Sequence, residues 1–286
     1  HVEAVRRRLK ANPVVGIVGA RQVGKTTLAS LVAAGMRGPV HRFDLEDSRD
    51  LERLADPMAA LESLRGLVIL DEVQRRPEVF STLRVLADRR GTPARFLVLG
   101  SASPRLLRQS SESLAGRIAY HELGGLGLGE VGRGNLDQLW LRGGFPRAFL
   151  APSDSQSFEW RRDLIRSYLE RDLPLLGSPP GPETMRRFWT MLAHVHGQVW
   201  NASTLARSFG VSDKTVRAYL DFLASAFLVR ILPPWHENLG KRQVKSPKIF
   251  FRDPGLLHVF SGIRTLRDLL DHPRCGFSWE GFAMEE

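Results

Sequence analysis

Residues 14–27, Val14-Val-Gly-Ile-Val18-Gly19-Ala20-Arg21-Gln22-Val23-Gly24-Lys25-Thr26-Thr27, decide the fold. A short apolar run suited to a buried strand enters a loop that meets G-x-x-x-x-G-K-[ST] at every fixed position, and a helical pattern opens at its end. Gly19 and Gly24 let the backbone turn so that successive N–H groups aim at phosphate oxygens, and the helix N-terminus adds partial positive charge. Lys25 supplies a point charge for β- and γ-phosphates, and Thr26 offers a hydroxyl to Mg²⁺. Residues Gly19 through Thr27 are therefore candidate nucleotide ligands.

Working outward, the second half of such a site is an acidic residue that ends a neighbouring strand. Leu67-Val-Ile-Leu70 followed by Asp71-Glu72 fits. Asp71 is the candidate to hold Mg²⁺ with Thr26, and Glu72 the candidate base that polarises an attacking water. This pair favours hydrolysis over phosphoryl transfer to a small acceptor. A third apolar run, Phe96-Leu-Val-Leu99, ends in Gly100-Ser101-Ala-Ser103, which makes Ser101 a candidate for the γ-phosphate or the water. The alternative for Ser101 is a turn that caps the helix expected from Pro104. The hydrolysis transition state needs further positive charge, often an arginine from a neighbouring subunit. Arg117 is the first candidate, with Arg105 and Arg108 as alternatives, and a homo-oligomer follows as a candidate assembly.

Strands are expected at Val14–Val18, Val40–Asp44, Leu67–Asp71, Arg95–Leu99 and Arg117–Leu123, and helices at Thr26–Ala34, Asp50–Ser63, Pro77–Arg89 and Pro104–Ala115. This alternation predicts an α/β fold with a parallel sheet covered on both faces. The glycine-rich passage Leu123-Gly-Gly-Leu-Gly-Leu-Gly129 reads as a flexible linker leaving the sheet, and Gly177-Ser-Pro-Pro-Gly-Pro182 as a second boundary. Helical patterning fills Asn135–Leu141 and Phe158–Leu169.

Ser203 to Leu223 has the spacing of a helix-turn-helix. Leu205, Ala206 and Phe209 face inward, Gly210 permits the turn, and Ser212 caps a second helix with Val216, Tyr219, Leu220 and Leu223 inside. Phe227–Leu232 then reads as a strand, giving a winged-helix arrangement. Lys214, Thr215 and Arg217 are candidate DNA contacts at the start of the second helix. Exposed charge there is thin, and such units also serve as lids, so both readings stand. Trp189 and Trp200 are expected in the core, and His194 and His196 lack a third metal ligand nearby.

The chain has 286 residues, of which 43% are hydrophobic and 25% charged, the profile of a folded protein of two or three domains. Disordered, collagen-like and disulfide-scaffold classes are excluded, since Cys275 is the one cysteine. Apolar runs fall far short of the ~20 residues that span a bilayer, and no leader is evident, so a cytoplasmic protein without membrane contact is expected. The chain starts at His1 without a methionine and stops at Glu286, and reads as a fragment. Net charge is +10, and residues 160–252 hold 15 Lys/Arg against 7 Asp/Glu. An anionic partner such as nucleic acid, or a solvated Arg-rich surface, accounts for this.

Several motifs together resemble a family of prokaryotic AAA+-like P-loop ATPases with the AAA_14/DUF4143 arrangement. They include residues 19–27, Leu70-Asp-Glu-Val-Gln74, Gly100-Ser-Ala-Ser103, Leu114-Ala-Gly-Arg117, Gly143-Gly-Phe-Pro146, Tyr168-Leu-Glu-Arg-Asp-Leu-Pro174, Pro247-Lys-Ile-Phe-Phe-Arg-Asp-Pro-Gly-Leu256 and Ser278-Trp-Glu-Gly-Phe282. The resemblance implies ATP as the nucleotide, an AAA+ core, a winged-helix middle and a C-terminal region similar to restriction-endonuclease-like nucleases. Glu280 and Glu285 fall where that last fold begins. The expected organisation is an ATPase domain at 1–123, a helical linker or lid at 124–176, a winged helix at 177–240 and the start of a truncated C-terminal domain at 241–286. The expected function is Mg²⁺-dependent ATP hydrolysis that switches the ATPase and winged-helix domains. The alternative is a nucleotide-regulated DNA-binding protein.

Overall fold

A computed structural model describes residues 1–89, 94–101, 114–175, 180–234 and 246–286. These divide into two compact units, His1–Gly124 and Gly125–Glu286.

The first unit is a five-stranded parallel sheet with strands β1 (Val14–Gly19), β2 (Val40–Asp44), β3 (Leu67–Asp71), β4 (Arg95–Ser101) and β5 (Ile118–Glu122), in the order β2-β3-β4-β1-β5. The central strands β1 and β3 are buried almost throughout, as a sheet covered on both faces requires. The edge strand β2 turns only Phe43 inward. Among the described residues the unit also holds helices α1 (Val2–Ala11), α2 (Lys25–Ala34), α3 (Ser48–Arg53), α4 (Pro57–Leu61) and α5 (Val79–Ala87). The single helix expected over 50–63 is two. Pro57 cannot continue a helix, and Asp56 caps α4 by accepting from Met58 and Ala59 N–H. Phe43, Leu54, Leu70, Phe80, Leu83 and Phe96 share one core, each such side chain contributing about 1.5–3 kcal/mol of apolar burial. Of the helix expected at Pro104–Ala115, residues 104–113, with Arg105 and Arg108, lie outside the described residues.

The second unit is mostly helical. Its longer helices are α6 (Leu136–Arg142), α7 (Asp154–Ser167), α8 (Pro182–His194), α9 (Ala202–Phe209), α10 (Asp213–Ser225), α11 (Pro254–Phe260) and α12 (Cys275–Glu285), with β6 (Val229–Leu232) antiparallel to β7 (Lys248–Phe251). The glycine passage expected to be irregular is ordered. Leu126 N donates to Gly144 O at 2.6 Å, a Cβ on Gly125 would meet the Gly144 backbone at 2.6 Å, and Leu128–Val131 forms a helical turn. Gly125 serves close backbone approach rather than flexibility. Trp189 and Trp200 lie in the core as expected.

Two of the motifs that carry the family resemblance interlock here. Asp253 accepts from Gly144 N and Leu256 N, each at 2.8 Å. Arg161, fully buried, donates to the carbonyls of Leu141 and Gly255 at 3.1 and 2.8 Å. Burial pushes the Asp253 carboxyl up to about 6 and the Arg161 guanidinium down to about 10. Gly143-Gly-Phe-Pro146 and Asp253-Pro-Gly-Leu256 are thus the two halves of a structural knot.

Candidate nucleotide site

The loop from β1 to α2 sits at the carboxyl edge of the sheet. Gly24 holds a left-handed φ of 103°, the position just before α2, where a side chain would be strained. A Cβ on Gly19 would lie 2.2 Å from the Leu123 carbonyl, so only glycine lets β5's exit pack on the loop. Lys25 is buried at 6% exposure, and its Nζ donates to Ala20 O at 2.8 Å and Gly19 O at 3.3 Å. Burial lowers this ammonium to about 8, against the pull of Glu72 and Asp71.

Thr26 Oγ1 donates to Asp71 Oδ2 at 2.7 Å, so the two candidate Mg²⁺ ligands meet across the sheet edge, with β4 lying between their strands. A hydroxyl and a carboxylate in contact, beside a buried ammonium, form a donor set that suits a hard cation carrying phosphate oxygens. Glu72 follows directly and adopts a left-handed φ of 52°, rare for a side chain of this size. Such a conformation persists only where its surroundings enforce it. Here the Asp71 carboxylate accepts from Glu72 N at 2.9 Å, and Gln74 Nε2 donates to the Glu72 carboxylate. Burial raises the Glu72 carboxyl above the usual range, with the Gln74 bond and Lys25 opposing. Proton affinity in that direction suits a base.

The register places Ser101 beside Gly19, at the same level of the sheet as the loop. Arg117 is elsewhere. It precedes β5, whose first residue pairs with Val14, so it sits at the opposite end of the strands from the loop. There its Nε and Nη2 grip the Asp88 carboxylate at 2.6 and 2.8 Å. Within its own chain Arg117 does not reach the site.

Residues outside the sequence-derived set also belong here. Glu46, just past β2, accepts from Arg21 of the loop at 3.3 Å and from Arg75, just past Glu72, at 3.4 Å. Gln74 was legible only as part of a motif. Its spacing two residues after an acidic pair had no meaning until the backbone turned back at Glu72.

The DNA-contact candidates lie in the second unit. Lys214 and Arg217 are exposed, whereas Thr215 is half-buried and engaged in the helix cap, its N–H donating to Ser212 Oγ at 3.2 Å and its hydroxyl paired with that of Ser212 at 2.9 Å. Gly210 has the left-handed φ of 64° that the turn needs. Glu280 pairs with Lys248, and Glu285 with Arg230 and Arg252. His196 uses both ring nitrogens on the backbone of Phe251 and Phe277. No helix among the described residues is long and apolar enough to cross a membrane.

Residues 11–132 match the AAA domain family (AAA_14), and residues 133–267 match DUF8612, a domain of unknown function, where the motif resemblance pointed to DUF4143. An uncharacterized protein of Mycobacterium tuberculosis and one of Mycobacterium bovis are each 52% identical over 282 residues, which is 99% of this chain and 64% of theirs. The chain thus spans about two thirds of the length of these curated relatives, 64%. A solved Walker-type ATPase of Pyrococcus abyssi superposes with a TM-score of 0.56 at 15% identity, covering 91% of this chain and 94% of that one, and shows the shared fold.

Proposed function

We propose that this chain, an AAA+-like P-loop ATPase by family, binds MgATP at the β1–α2 loop and hydrolyses it. One observation carries the reading: Lys25, Thr26, Asp71 and Glu72 meet at a single sheet edge although 45 residues separate Thr26 from Asp71. Lys25 would leave the loop carbonyls for the β- and γ-phosphates, Thr26 and Asp71 would hold Mg²⁺, and the bound ion would neutralise charge between those phosphates. Glu72, oriented by Gln74, would take the proton of the attacking water, with Ser101 beside the γ-phosphate. Arg117 would release Asp88 to complete a neighbour's site in a homo-oligomer. Leu123 packs on Gly19, and the first unit ends one residue later, so the chain leaves that unit from the phosphate loop itself. Loss of the γ-phosphate would bear first on that exit, which supports a hydrolysis-driven switch between the two units.

Equilibrium binding and turnover test this together. Lys25→Ala abolishes MgATP binding, whereas Glu72→Gln binds MgATP and does not turn it over. Wild-type turnover by Glu72→Gln would refute the base assignment.

A second reading makes nucleotide the regulator of a nucleic-acid-binding unit. It is supported by α9, α10 and the antiparallel pair β6–β7, which follow one another in the order of a winged helix.

A further inference from the structure

Two groups of basic residues in the second unit differ in their partners. On the strand pair each already has a carboxylate partner: Arg230 and Arg252 share Glu285, and Lys248 binds Glu280. The other group surrounds the α9–α10 turn. Arg187, Arg207, Lys214 and Arg217 are exposed, and none has a carboxylate partner among the described residues. They lie on helices α8, α9 and α10, which pack together through Phe188, Phe209 and Tyr219. The Arg187 guanidinium of α8 lies 5.3 Å over the ring of Phe209, which ends α9. Arg207 is in the last turn of α9, and Lys214 and Arg217 share one face at the start of α10. The carboxylates on these elements are Asp213 and Asp221 on α10 and Glu183 on α8, so cations prevail around the turn.

We propose that this face, and not the strand pair, binds the phosphate backbone of duplex nucleic acid. The proposal rests on the winged-helix reading of these elements but not on hydrolysis. Surface chemistry favours a nucleic acid over an acidic protein. Protein interfaces centre on exposed aromatic or aliphatic anchors. Here the side chains that bury apolar surface on α9 and α10, such as Leu205, Val216 and Tyr219, all point into the unit. Outside are guanidinium and ammonium groups, which hydrogen-bond phosphate oxygens. The backbone is read for its charge alone, so sequence preference is weak.

The test is fluorescence anisotropy of a labelled 20-base-pair duplex with the full chain, nucleotide-free, over a salt series. Each phosphate contact contributes about 0.9 to the slope of log affinity against log salt, so a fourfold rise in salt costs about 3.5-fold per contact. Lys214→Ala with Arg217→Ala lowers the slope by about 1.8, as does Arg187→Ala with Arg207→Ala. Arg187→Lys with Arg207→Lys keeps the charge and the slope, which separates lost charge from lost packing on Phe209. Arg133→Ala with Arg147→Ala, exposed cations of the same unit, leaves the slope unchanged. The proposal is overturned if the duplex does not bind. It is overturned equally if the Arg133/Arg147 pair costs as much as the helix pairs, or if polyglutamate displaces the duplex as well as unlabelled DNA does. Because no nucleotide is present, an inactive ATPase site does not affect the result.

Discussion

Lys25 pays for its position before any ligand arrives, and that can be measured. Its ammonium falls from an ordinary 10.5 to about 8 because burial strips its water, and the carboxylates of Glu72 and Asp71 only partly compensate. Between those two values the unfolded chain holds a proton that the folded chain does not, so this residue makes the protein more stable as pH rises through the window. At about 1.4 kcal/mol per pK unit, the displacement corresponds to ~3 kcal/mol of destabilisation at neutral pH. Lys25→Met keeps the chain length and removes the charge. In urea unfolding, the stability of the wild type relative to Lys25→Met is expected to climb by about 3 kcal/mol from pH 7.5 to 10.5. Triphosphate reverses the effect, because its negative charge restores the ammonium. At pH 8.5 MgATP binding then takes up roughly 0.8 proton, seen as a dependence of calorimetric enthalpy on the buffer's ionisation heat. A stability difference flat with pH, together with no proton uptake, would refute the claim that this amine is held desolvated for phosphate.

Other outcomes follow from other contacts. Asp253→Ala leaves the N–H groups of Gly144 and Leu256 unanswered beside the buried Arg161, and is expected to cost about 3–5 kcal/mol in thermal or urea unfolding. If Arg117 acts on a neighbouring copy, wild-type turnover per chain rises with protein concentration. Arg117→Ala then removes that rise and lowers the plateau by roughly 10³-fold or more. A wild-type rate per chain independent of concentration would remove the arginine from the mechanism.

Much of the first unit is written locally. Three apolar runs, each ending in glycine, serine or a carboxylate, are strands β1, β3 and β4 within a residue or two of where patterning places them, because an interior strand covered on both faces admits almost nothing but apolar side chains. Lys25, Thr26, Asp71 and Glu72 were legible for a related reason. The phosphate loop needs fixed residue types at fixed spacing, so its chemistry is visible without coordinates. Patterning misjudged the passage after Leu123. Glycine has the same sequence signature whether it frees a chain or lets two backbones touch, and only Gly144 distinguishes the two.

The sequence by itself determined the strand–loop–helix unit, the acidic pair that ends the third strand, and the paired apolar faces of α9 and α10, since each depends on neighbours within a few residues. Tertiary structure alone decided that Gln74 turns back onto Glu72, that Arg117 stands at the far end of the sheet on Asp88, and that Asp253 and Arg161 are internal fastenings. It also decided which cations are spent on Glu280 and Glu285 and which remain exposed. Apart from Gln74 and Glu72, which the turned backbone brings together, such pairings join side chains far apart along the chain. Their partners are chosen by strand order and packing, and no local pattern encodes them.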